Sequence, residues 1–148
     1  MSLEAPDLLR LSAEELDQLF RSSEAGPIPS GEARGTLLVR PGSDLAVPAA
    51  KLLHLIAWKG KVFNPDKAEL VNEVGPFGWK SVRAKVYKDE SRLDGNQSIV
   101  LDYSGTSLVA RWIRDEIRLV APGTYLGISY WERTKILDFA LEFPGLKQ

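Results

Sequence analysis

The sequence predicts a mainly β domain, a barrel of about eight antiparallel strands with two short helices toward its N-terminal end. Two observations carry this. From Lys61 onward apolar and polar residues alternate in short runs, the period of a half-buried strand. Turn-forming pairs separate the runs: Asn64-Pro65, Gly75-Pro76, Asp94-Gly95 and Pro122-Gly123. No strand-helix-strand alternation occurs in the second half, which argues against a parallel doubly wound sheet.

The elements follow in order. In "LSAEELDQLFRSSEAGPIP" Ser12 is a helix N-cap, and Glu15 stands three residues on, where it completes a capping box. Leu16, Leu19 and Phe20 form the apolar stripe, and Gly26-Pro27 ends the helix. "EARGTLLVRPG" reads as a first strand. "AVPAAKLLHLIAWKGK" changes to helical spacing, with Leu52, Leu53, Ile56 and Ala57 on one face, so a second helix is expected near 47–58. "KVF", "AELVNEV" and "KSVRAKVYKD" are the next strands. Asp94-Gly95 is the strongest hairpin turn in the chain. "QSIVLDY", then the long "SLVARWIRDEIRLV", expected to be bent or bulged in its middle, then "GTYLGISYWE" and "KILDFALEF" complete the set.

Antiparallel strands at this spacing close into a barrel or fold into a sandwich. An eight-stranded barrel is wide enough for one small ligand. The fold expected is therefore lipocalin-like (calycin), one domain over 1–148, with 1–30 as an N-terminal helical lid and 31–148 as the barrel. A curved sheet packed over helices, an α+β arrangement, is the alternative.

Composition narrows function by exclusion. The chain has 148 residues, 19 basic and 20 acidic, so no excess charge draws it to nucleic acid or a membrane surface. At this length a core forms without disulfides or metal. With no cysteine and one histidine, thiol catalysis and zinc sites built on Cys or His pairs lack their parts. Phosphate-binding loops, nucleophile elbows and metalloprotease motifs are missing too. No apolar run reaches the roughly 20 residues of a spanning helix, and the start "MSLEAPDLLR" lacks a signal-peptide pattern. A cytoplasmic protein with no metal and no cofactor is expected.

The candidate site rests on residues that break the pattern. In "RWIRDEIRLV", Arg111 and Asp115 share a face with Ile113, Ile117 and Leu119, and an inward charge must be paired or poised for a ligand. Arg114, Glu116 and Arg118 share the other face and read as ordinary surface pairs. Tyr103 stands on the face of Ile99 and Leu101. Tyr125, Gly127, Ser129 and Trp131 share a face of the next strand, and a mid-strand glycine implies a close approach. His54 and Trp58, four apart, share a helix face. The candidate ligand contacts are thus His54, Trp58, Tyr103, Arg111, Asp115, Tyr125 and Trp131.

"WKGKVF", a strand ending "LDY", and "RDEIRLVAPGTYLG" together resemble the core of the GXWXG family of small bacterial proteins. The resemblance spans roughly 31–131. Gly31 and Gly35 occupy the name motif's region with no tryptophan between them, and the Tyr-Asp order is reversed as Asp102-Tyr103. It implies a calycin-like barrel and little about activity.

Three functions follow. The leading one is a barrel that binds a small, mostly apolar molecule with one polar or anionic end, held under the N-terminal helices. The second is a cofactor-free isomerase, cyclase or decarboxylase acting on a hydrophobic substrate, with Asp115 or Glu116 paired to Tyr125, Tyr103 or His54. The third is an interaction protein, a homodimer through an exposed strand.

Overall fold

The computed structural model describes residues 3–38, 60–64, 69–74, 80–105 and 112–146. The helix expected near 47–58 lies outside them. Two helices stand at the N-terminus: α1 (Ala5–Leu8) and α2 (Ala13–Ser22). The capping box starts α2 as its sequence dictates: Glu15 N donates to Ser12 Oγ and Ser12 N to Glu15 Oε1, both at 3.0 Å. The single turn α1 is too short to show apolar periodicity, and the sequence alone does not reveal it.

The strands are β1 (Gly31–Leu37), β2 (Gly60–Asn64), β3 (Glu69–Val74), β4 (Lys80–Glu90), β5 (Gln97–Asp102), β6 (Ile113–Ala121), β7 (Thr124–Trp131) and β8 (Thr134–Glu142). Each pairs antiparallel with the next, and β8 returns to β1, with Arg34 opposite Glu142 and Leu37 opposite Phe139. The mainly β, antiparallel class is therefore the one the alternation announced. β6 runs from Ile113, with a register shift between Leu119 and Ala121 beside the Pro122-Gly123 turn, while the first part of the expected strand and any bend in it lie outside the described residues.

Alternation places two apolar clusters on the two faces of the sheet. The inner one gathers Ala33, Phe63, Val86, Ile99, Leu101, Ile117, Tyr125, Phe139, Leu141 and Phe143. The outer one joins Leu8, Leu16 and Phe20 of the helices to Leu126, Ile128, Tyr130 and Ala140. This overturns the helical lid. The helices pack on the outside of β6, β7 and β8, because the outward residues of β7 are themselves apolar and need cover.

The chain after α2 closes one end of the barrel instead. Ala25 belongs to the inner cluster, and Ile28 packs against it. Leu119 N donates to the Ala25 carbonyl (3.2 Å), and the Tyr125 hydroxyl donates to the Pro27 carbonyl (2.6 Å). Between them Gly26 has φ 73°, and any Cβ there would meet Leu119 Cβ at 2.6 Å. Glycine satisfies both demands.

Candidate functional site

Strand register sets the interior as a series of rows. One row runs Val86, Leu101, Asp115, Ser129, Leu137 across β4 to β8. Two of its five members are polar, in a wall that is otherwise apolar. Asp115 and Ser129 are each 1% exposed, and Ser129 Oγ donates to Asp115 Oδ1 at 2.7 Å. A hydroxyl aimed at a buried carboxylate offsets part of the desolvation cost of its charge.

Below this row the described side chains pack closely. Gly127 faces Phe139 in register, and a Cβ on Gly127 would fall into the Phe139 ring. The close approach expected at this glycine is thus an aromatic neighbour. Phe143 lies edge-on to both Phe63 (5.3 Å between centroids) and Tyr125 (5.5 Å). Burial pushes the Tyr125 hydroxyl up to about 12, and its hydrogen bond to Pro27 engages it in closing the barrel's end.

Above the row stand Tyr103, buried and inward beside Ile99 and Leu101, then Ile113 and the half-buried Trp131. The Trp131 indole lies 5.5 Å from that of Trp112. Of the expected contacts, Tyr103, Asp115 and Trp131 thus share the upper half with Ser129. Tyr125 does not join them, because six residues of extended strand, about 20 Å, separate it from Trp131. His54, Trp58 and Arg111 lie outside the described residues.

The surface pairs expected on β6 prove otherwise. Glu116 and Arg118 are fully buried. Glu116 accepts from Ser91 Oγ (2.6 Å), Arg92 N (3.0 Å) and Arg114 Nε (3.1 Å). Arg118 forks onto Asp94, with both contacts at 2.7 Å, and its guanidinium lies 4.3 Å from the centre of the Phe20 ring. Both side chains fasten the β4–β5 turn to the outside of β6. A signal was available in the apolar Leu126, Ile128 and Tyr130 of the neighbouring strand, because a covered β7 implies cover for β6 beside it.

Among the described residues no group of three or more His, Cys, Asp or Glu is placed to hold a metal ion. Nor is any described helix long and apolar enough to cross a membrane. No protein-family model matches the chain, and no curated protein matches its sequence. A crystal structure of a protein from Thermomonospora curvata is similar over 89% of this chain and 87% of that one, with a TM-score of 0.61 and 20% identity. At that identity the likeness is one of fold.

Proposed function

We propose that the chain is a lipocalin-like binding barrel of the calycin type, as the GXWXG resemblance implies. It takes a small, mostly apolar molecule with one polar group into the upper half of the barrel. The observation that supports this is the buried Asp115–Ser129 pair on an otherwise apolar inner wall. Pockets for such ligands have apolar sides and a few placed polar groups.

The chemistry of the pair selects the ligand's polar end. A carboxylate accepts hydrogen bonds and repels another carboxylate in low dielectric. A hydroxyl or amine at the ligand's polar end can donate to this pair, which is why it is the end tested first. The enzymatic alternative is less well served. Glu116 points outward with both carboxylate oxygens engaged, and the Tyr125 hydroxyl is held by Pro27.

Titration with dodecanol, dodecylamine and dodecanoate, read by thermal shift and tryptophan fluorescence, tests the reading. The alcohol or the amine should bind saturably and the acid more weakly. Asp115→Ala, which removes the acceptor of the ligand's polar group, should weaken that binding about tenfold, the worth of one charge-assisted hydrogen bond. Asp115→Asn is the second variant. Absence of saturable binding by all three probes would sink the proposal.

A further inference from the structure

The outer wall carries a cleft that the interior does not explain. It measures about 650 Å³ and is lined by Arg92, Arg114 and Arg133 together with Trp112 and Thr134. Its floor is the outward face of β5 and β6, where Asp102 and Arg114 stand opposite one another. Their neighbours Leu101, Tyr103, Ile113 and Asp115 point into the barrel. The cleft therefore opens on the outer side of these strands, and it meets the barrel's upper rim at Ile113, which also lines it, and at Trp131, whose indole lies 5.5 Å from that of Trp112.

Its charges are unequally engaged. Asp102 accepts from the Tyr87 hydroxyl and from Ser104 N, both at 2.8 Å. Arg114 is fixed by Glu116 and by the Glu90 carbonyl, the latter at 2.7 Å. Arg92 reaches across the cleft to the Glu132 carbonyl. Arg133, exposed at the rim, makes no hydrogen bond or ion pair among the described residues. Arg114 is thus neutralised by Glu116 and Arg92 is held by a carbonyl, which leaves the Arg133 guanidinium at the rim as the cation with a donor fork to spare.

The rim itself is held in a costly conformation. Glu132 has φ 53°, the left-handed region that favours glycine. Its N–H donates to the Trp112 carbonyl (2.9 Å) and its own carbonyl accepts from Arg92. Trp131 pairs with Thr134, so Glu132 is the first residue of a two-residue hairpin loop, whose turn geometry itself calls for a positive φ. Here both restraints come from cleft residues, and they fix the turn that carries Arg133. Beside it Trp112, packed on one side near Trp131, is still 39% exposed at the mouth.

We propose that this cleft is a second binding site, for a small aromatic carboxylate. The ring stacks on the exposed Trp112 indole, and the carboxylate is met by Arg133, whose planar fork matches it in two parallel hydrogen bonds. The volume lies within the range of small-molecule sites.

Calorimetric titration of the full chain with naphthoate tests this, with tryptophan fluorescence as a second readout. Saturable binding is expected, weakened at least about tenfold by Arg133→Ala and by Trp112→Ala. Both positions are exposed, and a thermal melt verifies that each variant is folded. Cyclohexanecarboxylate and neutral naphthol should each bind at least about tenfold more weakly than naphthoate, since each lacks one half of the recognised group. Ser129→Ala should leave naphthoate binding unchanged. The proposal is overturned if naphthoate does not bind saturably, if both cleft variants bind it as the parent does, or if Ser129→Ala abolishes binding, which would move the ligand into the barrel.

Discussion

At the scale of single residues, Arg118 shows how far context governs a charge. Its guanidinium donates to the carbonyls of Phe20, Asn96 and Gln97 as well as to Asp94. All five N–H donors find acceptors, which is the condition for tolerating a buried charge. Arg118→Met leaves Asp94 without its partner, and urea unfolding should show a loss of about 3–5 kcal/mol. The same pair sets an acid limit. The hydrogen bonds from Arg118 hold the Asp94 carboxyl down at about 2, against an ordinary 3.8. Because the folded value is depressed, this stabilisation is complete above about pH 4 and is lost as pH falls through about 2, some 2 kcal/mol in all. Asp94→Asn should remove that part of the pH dependence between pH 4 and 2, and urea midpoints measured across the interval check it. Nothing in "RDEIRLV" distinguishes Arg118 from Arg114, because alternation assigns a face without saying what covers it. Gly127 was more legible. A glycine amid aromatic and β-branched strand residues implies a close neighbour, and Phe139 is that neighbour.

At the scale of elements, local chemistry was readable wherever a motif is complete in sequence. The Ser12–Glu15 box starts α2, and Gly95 (φ 77°) and Gly123 (φ 69°) turn the hairpins at Asp94-Gly95 and Pro122-Gly123. The β7–β8 turn gives no such sign, since Glu132-Arg133 contains neither glycine nor asparagine. Its left-handed residue is held by backbone groups of Glu132 itself, so glycine there keeps both hydrogen bonds and sheds the strain. Glu132→Gly should therefore raise stability by about 1 kcal/mol, seen as a higher denaturant midpoint with an unchanged slope. β6 adds a feature that no local motif announces. Its described part runs from Ile113 and shifts register as it enters the Pro122-Gly123 turn, a feature that alternation along 107–120 gives no sign of.

At the scale of the whole molecule, a sheet with both faces covered places several tyrosines where their ionised forms are disfavoured. Burial pushes Tyr125 up to about 12. Burial, reinforced by Asp102, raises Tyr87 to about 12 as well, and burial with Glu116 nearby pushes Tyr130 in the same direction. Groups whose folded values lie above their unfolded ones stabilise fully below about pH 10 and cease to do so as pH rises through about 12. Stability should fall steeply across that window. Tyrosinate absorbance should appear together with loss of structure rather than before it. The sequence by itself determined the antiparallel β class, the cap of α2, the hairpin turns and the inward face carrying Asp115, because alternation, capping boxes and turn residues are local signals. Only the tertiary structure decided that the helices cover the outer wall, that Glu116 and Arg118 are buried, that Tyr125 seals one end, and that three arginines meet Trp112 in a cleft. Each of those depends on which surfaces meet across long sequence separations, and a period of two along a strand holds no information about that.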